Sequence, residues 1–193
     1  MESNMFCYQC QETAKGTGCI LKGVCGKESH TAQAMDLLLF VVRGISVVAD
    51  TLRKADCPVS EEVNVFVTDA LFCTITNANF DDESILKRVD KGIIMRNGLI
   101  QEAEHNKVFL PKVDELTWQG TRDDYAEKAK TVGVLREQDE DLRSLKELLV
   151  YGLKRQPIWS MPCVWDSMMI RFMFSCNAHW LPLRLSLYRQ RSG

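Results

Sequence analysis

The stretch 31–54 reads TAQAMDLLLFVVRGISVVADTLRK and contains no proline. Its apolar residues cover most faces of a helix, a pattern typical of the central helix of a bundle. Asp36 and Arg43 interrupt the apolar run, so the stretch is interpreted as a buried core helix and not as a membrane span. Cys57-Pro58 predicts the end of this helix, because proline disfavours helical geometry in the residue before it.

The chain downstream of this helix also shows helical patterns. Ser60 is a predicted N-cap, and Asp81 or Asp82 is predicted to cap the next helix, since their side-chain oxygens can accept from free backbone N–H groups. The predicted segments are helices over 60–78, 82–104, 123–130 and 139–154, with an irregular connection over 106–121. The predicted fold class is therefore mainly α, with helical bundles preceded by a cysteine-rich loop.

Two short helical sequence motifs, or words, resemble each other. DLLLFVVR at 36–43 is echoed by ELLVYGLK at 147–154, and both run from an acidic residue through apolar and aromatic residues to a basic one. The distance between them is longer than a solenoid repeat. The echo therefore predicts two related helical units packed together.

Upstream of the long helix, four cysteines are spaced Cys7-x2-Cys10-x8-Cys19-x5-Cys25. Glycines at positions 16, 18, 23 and 26 lie beside or between them. Glycine tolerates the positive φ angles of a tight wrap and lets backbone N–H groups approach sulfur. Four thiolates this close in sequence can bind one metal centre.

Several kinds of site fit such a cluster of cysteines. A structural zinc site usually draws on two separate Cys-x2-Cys pairs, whereas only Cys7 and Cys10 have that spacing. A disulfide framework is typical of short secreted chains, and no signal peptide is visible. An iron–sulfur cluster accepts Cys-x2-Cys followed by wider spacings and is favoured, with zinc and free buried thiols as alternatives. Cys57 and Cys73 stand alone and are interpreted as ordinary thiols.

The wording of this segment is more specific than its spacing. MFCYQCQETAKGTGC at 5–19 and GVCGK at 23–27 closely resemble the N-terminus of the hybrid cluster proteins, also called prismane proteins or hydroxylamine reductases. The resemblance covers residues 5 to 154 and returns in further words at 36–44, 117–120, 132–135 and 139–154.

The resemblance implies a cofactor and its ligands. In this family the four N-terminal cysteines hold a cubane or a [2Fe–2S] cluster, and the short spacing here resembles the [4Fe–4S] form. The implied ligands are Cys7, Cys10, Cys19 and Cys25. The family's catalytic centre is a second, hybrid iron–sulfur–oxo cluster whose ligands come from later domains, so no residue of this chain is assigned to it.

The resemblance also implies an activity and a partner. The family reduces hydroxylamine to ammonia and water, with nitric oxide reduction as a related proposal, and takes electrons from a redox donor protein such as an NADH-dependent oxidoreductase. The expected role of this chain is an electron relay, without catalysis of its own. The alternatives are a stand-alone electron-transfer module and a structural zinc protein.

Charged residues near the cysteines admit two interpretations. Lys15, Lys22 and Lys27 could favour a reduced cluster or steer an acidic donor, but solvated surface lysines are the commoner case. His30 is expected to be a cap or surface residue and not a further ligand. With a net charge of −2, the chain gives no reason to expect a nucleic-acid or membrane partner, and a reducing cytoplasm is the expected location.

The last 38 residues have a different character. Residues 156–193 hold one acidic residue, Asp166, and three of the four tryptophans, without helical or strand periodicity. Back-translation read from the third codon base yields an acidic, amphipathic sequence resembling the family's continuation. We therefore expect a frameshift near codon 155, with Cys163, Cys176 and His179 not acting as ligands. The expected organisation is a cluster loop (1–30), a helical bundle (31–154) and an out-of-frame, poorly ordered tail (155–193).

Overall fold

A computed structural model describes residues 5–10, 13–75 and 80–154 of the protein. Its helices are α1 (Ser29–Lys54), α2 (Glu61–Ile75), α3 (Asp82–His105), α4 (Asp114–Thr117), α5 (Tyr125–Val132) and α6 (Glu140–Lys154). Short 3-10 turns lie at Ala14–Gly16, Arg122–Asp124 and Val134–Arg136. The prediction of a mainly α fold behind a cysteine-rich loop is confirmed.

Helix α1 is the centre of the bundle. It packs against α2, α3 and α5, and its side chains are buried around most of its circumference. Leu37, Leu38, Phe40 and Ile45 are completely buried. The helix is long and apolar enough to cross a membrane by length and composition alone, but most of that window is buried inside the protein, as expected for a core helix.

Capping residues mark the predicted helix starts. The backbone N–H of Glu62 donates to the Ser60 hydroxyl over 3.2 Å, and that of Ser84 donates to the Asp81 carboxylate over 3.0 Å. Each contact satisfies one of the free N–H groups at a helix N-terminus. The predicted second helix extends to 78, and its last residues, 76–78, lie outside the described part of the chain.

The connection after α3 is more ordered than predicted. Helix α4 lies within the stretch 106–121, for which the sequence predicts irregular structure. Arg96 explains the order, because its completely buried guanidinium donates to the carbonyl oxygens of Glu115 (2.9 Å) and Trp118 (2.8 Å). The Trp118 ring meets Phe40 of α1 edge-on, with ring centroids 5.8 Å apart. The connection is thereby fixed to the core.

Candidate metal centre

The cysteine loop, residues 5–28, brings two of its cysteines together through the backbone. Cys7 and Cys19 form an isolated antiparallel bridge in which each N–H donates to the other's carbonyl oxygen over 2.9 Å. Residues opposite each other in such a pair place their side chains on the same face. Both cysteines are buried, in a small apolar cluster with Met5 and Ala32.

Two glycines shape the loop around its cysteines. Gly18, beside Cys19, has a φ of +126°, and a Cβ there would lie 2.8 Å from the ring of Phe6. A Cβ on Gly23 would lie 3.1 Å from the Cys25 sulfur and 3.0 Å from the backbone nitrogen of Lys27. The loop therefore needs glycine at both positions, for backbone conformation at the first and for close approach at the second.

The four loop cysteines offer a suitable donor set for an iron–sulfur cluster or zinc. Cys7 and Cys19 are buried, Cys10 and Cys25 are half-buried, and all four are free thiols. Within residues 5–10, 13–75 and 80–154, however, no three His, Cys, Asp or Glu side chains converge closely enough to hold a metal ion. The chemistry of the four thiols suits the predicted iron–sulfur cluster. Their assignment as its ligands stays a prediction.

The environment of Cys7 bears on how it can bind a metal. Burial raises the pKa of the Cys7 thiol to about 11, partly offset by the backbone N–H of Gln9, which donates to the sulfur. The Asp36 carboxylate contributes to this raised pKa, whereas Lys27 opposes it. Cys7 is thus protonated at neutral pH, and metal binding must displace its proton.

The charged residues near the loop differ from one another. Lys15 is exposed, and Lys22 is exposed and paired with Glu28 over 2.7 Å, as expected of surface lysines. Lys27 is the exception: it is buried, with its Nζ 3.0 Å from the Met35 sulfur. His30 is a surface residue, as expected, and its Nε2 lies 3.3 Å from the Asp82 carboxylate.

A buried polar cluster lies behind the loop. Gln9 donates from its side-chain amide to the Asp36 carboxylate of α1 and accepts from the Lys154 ammonium at the end of α6. All three side chains are buried, with exposed fractions of 2%, 6% and 2% in that order. Sequence reasoning missed this cluster.

The two repeated words supply the charges of this cluster. Asp36 and Arg43 are the ends of the first word, and Glu147 and Lys154 are the ends of the second. Burial raises the pKa of Glu147, whereas Lys154 and Arg43 lower it. Burial also lowers the pKa of Lys154 to about 8, against the opposing effects of Glu147 and Asp36. The echo between the words was the available sequence signal.

The remaining cysteines fall into two groups. Cys57 and Cys73 are free thiols whose sulfurs lie near backbone carbonyl oxygens, those of Ala55 (3.6 Å) and Ala70 (3.2 Å). They lie on or next to the helices, away from the four loop positions in sequence. Cys163, Cys176 and the whole predicted tail 155–193 lie outside the described residues, so the tail stays a prediction.

Comparison with known families identifies the chain. Residues 5–172, which are most of the sequence, match the Prismane/CO dehydrogenase family. The chain belongs to this family. The family match begins at the same residue as the resemblance read from the sequence and ends beyond Lys154.

Relatives of the chain within this family are named hydroxylamine reductases. The hydroxylamine reductase of Bacteroides thetaiotaomicron is 57% identical over 152 residues, which are 78% of this chain and 27% of that protein. Those of Porphyromonas gingivalis and Nitratidesulfovibrio vulgaris are 49% and 45% identical over 80% and 78% of this chain. The chain spans 28% of the length of each of these two relatives.

Proposed function

We propose that this chain is an iron–sulfur electron-relay unit of a hydroxylamine reductase. The observation that supports it is the grouping of four free cysteines in one glycine-turned loop, in a chain of the Prismane/CO dehydrogenase family. Cys7, Cys10, Cys19 and Cys25 would hold a [4Fe–4S] cluster, with [2Fe–2S] as the alternative type. A redox donor protein, such as an NADH-dependent oxidoreductase, would supply the electrons in a reducing cytoplasm.

The contributions of the chain are ligation, hydrogen bonding and burial. When bound, such a cluster supplies one-electron transfer, and its potential depends on the groups around its sulfurs. The Gln9 N–H donates to the Cys7 sulfur, and the buried Lys27 places a positive charge near it. Both would favour the more negative, reduced state of a bound centre.

The overall reaction proposed for the whole protein is the reduction of hydroxylamine by two electrons and two protons to ammonia and water. No residue of this chain is proposed to touch the substrate. A coordination site open to hydroxylamine would belong to the family's hybrid cluster, whose ligands are expected outside this chain. We therefore expect no hydroxylamine turnover by these 193 residues alone.

Anaerobic reconstitution with iron and sulfide tests the ligand assignment. Single Cys→Ser variants at the four loop positions should each lose the cluster, because a serine hydroxyl is a harder and less acidic ligand than a thiol. Cys57→Ser and Cys73→Ser are matched controls and should keep the iron content and the visible absorption of the unaltered chain. Zinc bound in place of iron, or equal loss of iron from the controls, would contradict the proposal.

A further inference from the structure

Gln9 occupies a particular place in the cysteine loop. It lies between two of the proposed ligands, Cys7 and Cys10, and its side chain points into the protein and not toward solvent. There its amide donates to Asp36 and its side-chain carbonyl accepts from Lys154. One residue of the loop is thus held by two helices that are far apart in sequence.

The chemistry of Lys154 determines how Gln9 is oriented. An ammonium group can only donate hydrogen bonds, so the carbonyl oxygen of the amide must face Lys154 and its NH2 group must face Asp36. The same ammonium lies 3.4 Å from the backbone carbonyl oxygen of Gln9. With its backbone N–H donating to the Cys7 sulfur, every polar group of Gln9 has a partner. The segment is therefore held in one orientation.

Joining two helices through this arrangement has a high cost in desolvation free energy. Burying a lysine and an aspartate costs several kcal/mol in desolvation of each, and apolar side chains of similar size would join the helices without that cost. Both charges instead converge on one loop residue whose backbone N–H meets a ligand sulfur. The location points to the loop as the part of the protein that these charges serve.

We propose that Asp36 and Lys154 are positioning residues that act through Gln9: together they hold the segment 7–10, its ligand sulfurs and the N–H···S hydrogen bond in place for metal binding. Asp36 and Lys154 touch neither substrate nor metal in this role. The inference rests on the proposed iron–sulfur function for its purpose, whereas the hold on the loop can be measured without any metal.

Alkylation of the metal-free chain by iodoacetamide tests the hold directly. Lys154→Met and Gln9→Leu should each speed the alkylation of Cys7 at least tenfold, measured peptide by peptide by mass spectrometry. Cys57 in the same sample should keep its rate. Lys22→Met is the matched control, because it removes an equal charge from the loop surface without touching Gln9, and it should leave Cys7 unchanged.

Two further variants separate positioning from general stability. Asp36→Asn keeps an acceptor for the Gln9 amide and should keep Cys7 slow, whereas Asp36→Leu removes the acceptor and should make Cys7 fast. Adding Lys154→Met to Gln9→Leu should produce no further acceleration, because the lysine acts through the residue already removed.

The potential of the reconstituted cluster gives a second measurement. Lys154→Met removes a positive charge near Cys7, so reduction should become harder. We expect about a tenfold lower equilibrium constant for reduction, equal to about 59 mV in a one-electron couple. The potential of Lys22→Met should stay close to that of the unaltered chain, because its exposed charge is screened.

The outcomes distinguish this inference from the proposed function. If Cys7 alkylation is unchanged in both Lys154→Met and Gln9→Leu, the hold on the loop is disproved, whatever the iron content. If Cys57 and Cys73 accelerate as much as Cys7, the variants unfold the chain and a local role is contradicted. A chain that holds no iron overturns the proposed function, while the alkylation rates still decide the positioning role.

Discussion

The cysteine loop and helix α1 follow each other directly in the chain, yet they are stabilised by different interactions. Helix α1 is buried among apolar side chains from three other helices. The loop has a small apolar cluster of its own and depends on a backbone bridge, glycine conformations and the buried contacts of Gln9. The difference indicates that α1 is stabilised mainly by apolar burial, whereas the loop is held mainly by a few directional contacts.

Such a division makes the two regions respond to different changes. Apolar burial is spread over many contacts, so a core substitution affects the whole bundle. A directional contact can be lost locally, and the region that depends on it can open without unfolding the rest. Substitutions chosen in each region therefore test the comparison.

The largest effect is expected in the core of α1. Phe40→Ala should lower the free energy of unfolding by about 3–5 kcal/mol, because it removes a completely buried ring and leaves a cavity. Urea unfolding of the metal-free chain, followed by circular dichroism, measures this. Phe109→Ala is the matched control: its ring is 86% exposed, so its effect should stay within about 0.5 kcal/mol. Similar losses in the two variants would contradict the assigned core.

A smaller effect is expected where helix α1 meets α4. A Cβ on Gly44 would lie 2.6 Å from the carbonyl oxygen of Glu115, so Gly44→Ala must push the connection away, at about 1–3 kcal/mol. Gly98→Ala on α3 meets nothing within 4 Å and should instead stabilise the chain by about 0.5–1 kcal/mol. Opposite signs in urea unfolding are the expected result, and a stabilising Gly44→Ala would refute the close contact.

The pH dependence of stability should reveal the titration of Asp36, a residue of α1 that accepts a hydrogen bond from Gln9 of the loop. Its pKa is raised to about 7, first by burial and second by Glu147, against the lowering effects of Lys154, Arg43 and Gln9. The folded chain therefore binds this proton more tightly than the unfolded chain, whose carboxyl titrates near pH 4. The proton's contribution to stability is complete below about pH 4, falls as the pH rises, and is lost above about pH 7.

Comparison with Asp36→Asn isolates this contribution. Between about pH 4 and about pH 7 the unaltered chain should lose stability relative to the variant, measured by urea unfolding of metal-free protein. Asp90→Asn is the control of opposite sign. Burial raises the pKa of Asp90, but hydrogen bonds from Arg122 and Tyr125 outweigh it and lower the pKa, so its contribution is lost only as the solution becomes more acidic. If the difference in stability between the unaltered chain and Asp36→Asn does not change with pH, the burial of the Asp36 carboxyl is contradicted.

The smallest effect is expected at the loop surface. Lys22 and Glu28 form an ion pair of 2.7 Å, but both side chains are more than half exposed. Water and salt screen such a pair, and it adds little to stability. Lys22→Met should therefore leave the urea midpoint unchanged within error. A clear shift would mean that surface charge helps to hold the loop, contrary to the comparison drawn above.

Sequence reasoning predicted the helices well because their signals are local. The proline-free apolar run became α1, and Ser60 and Asp81 cap the next two helices as predicted. Helix α4 was missed, because its order depends on Arg96, an arginine that looks like a surface residue from sequence alone. Long-range hydrogen bonds of this kind leave no periodic pattern in the chain.

The sequence shows the four candidate ligands of the site, whose assignment stays a prediction, but not the residues that support them. Four closely spaced cysteines with glycines are visible in the sequence, whereas the burial of Lys27 and Lys154 contradicts the usual exposure of lysine. Gln9 gave no signal, because glutamine is common in loops. The echo between 36–43 and 147–154 was the one pattern that included Lys154, and it was interpreted as a sign of two related helical units.

The contact between Gln9 and Lys154 also has a consequence for the synthesis of the protein. The two residues are 145 positions apart, so the ribosome finishes the loop long before it makes the loop's partner. At ordinary translation rates the delay is roughly 7 to 30 s. Until Lys154 has been made, the four cysteines lie in a nascent chain that lacks the contact between Lys154 and Gln9. Cellular machinery that loads metal would thus meet an unfinished loop if it acted early, and a completed one only after α6 has emerged.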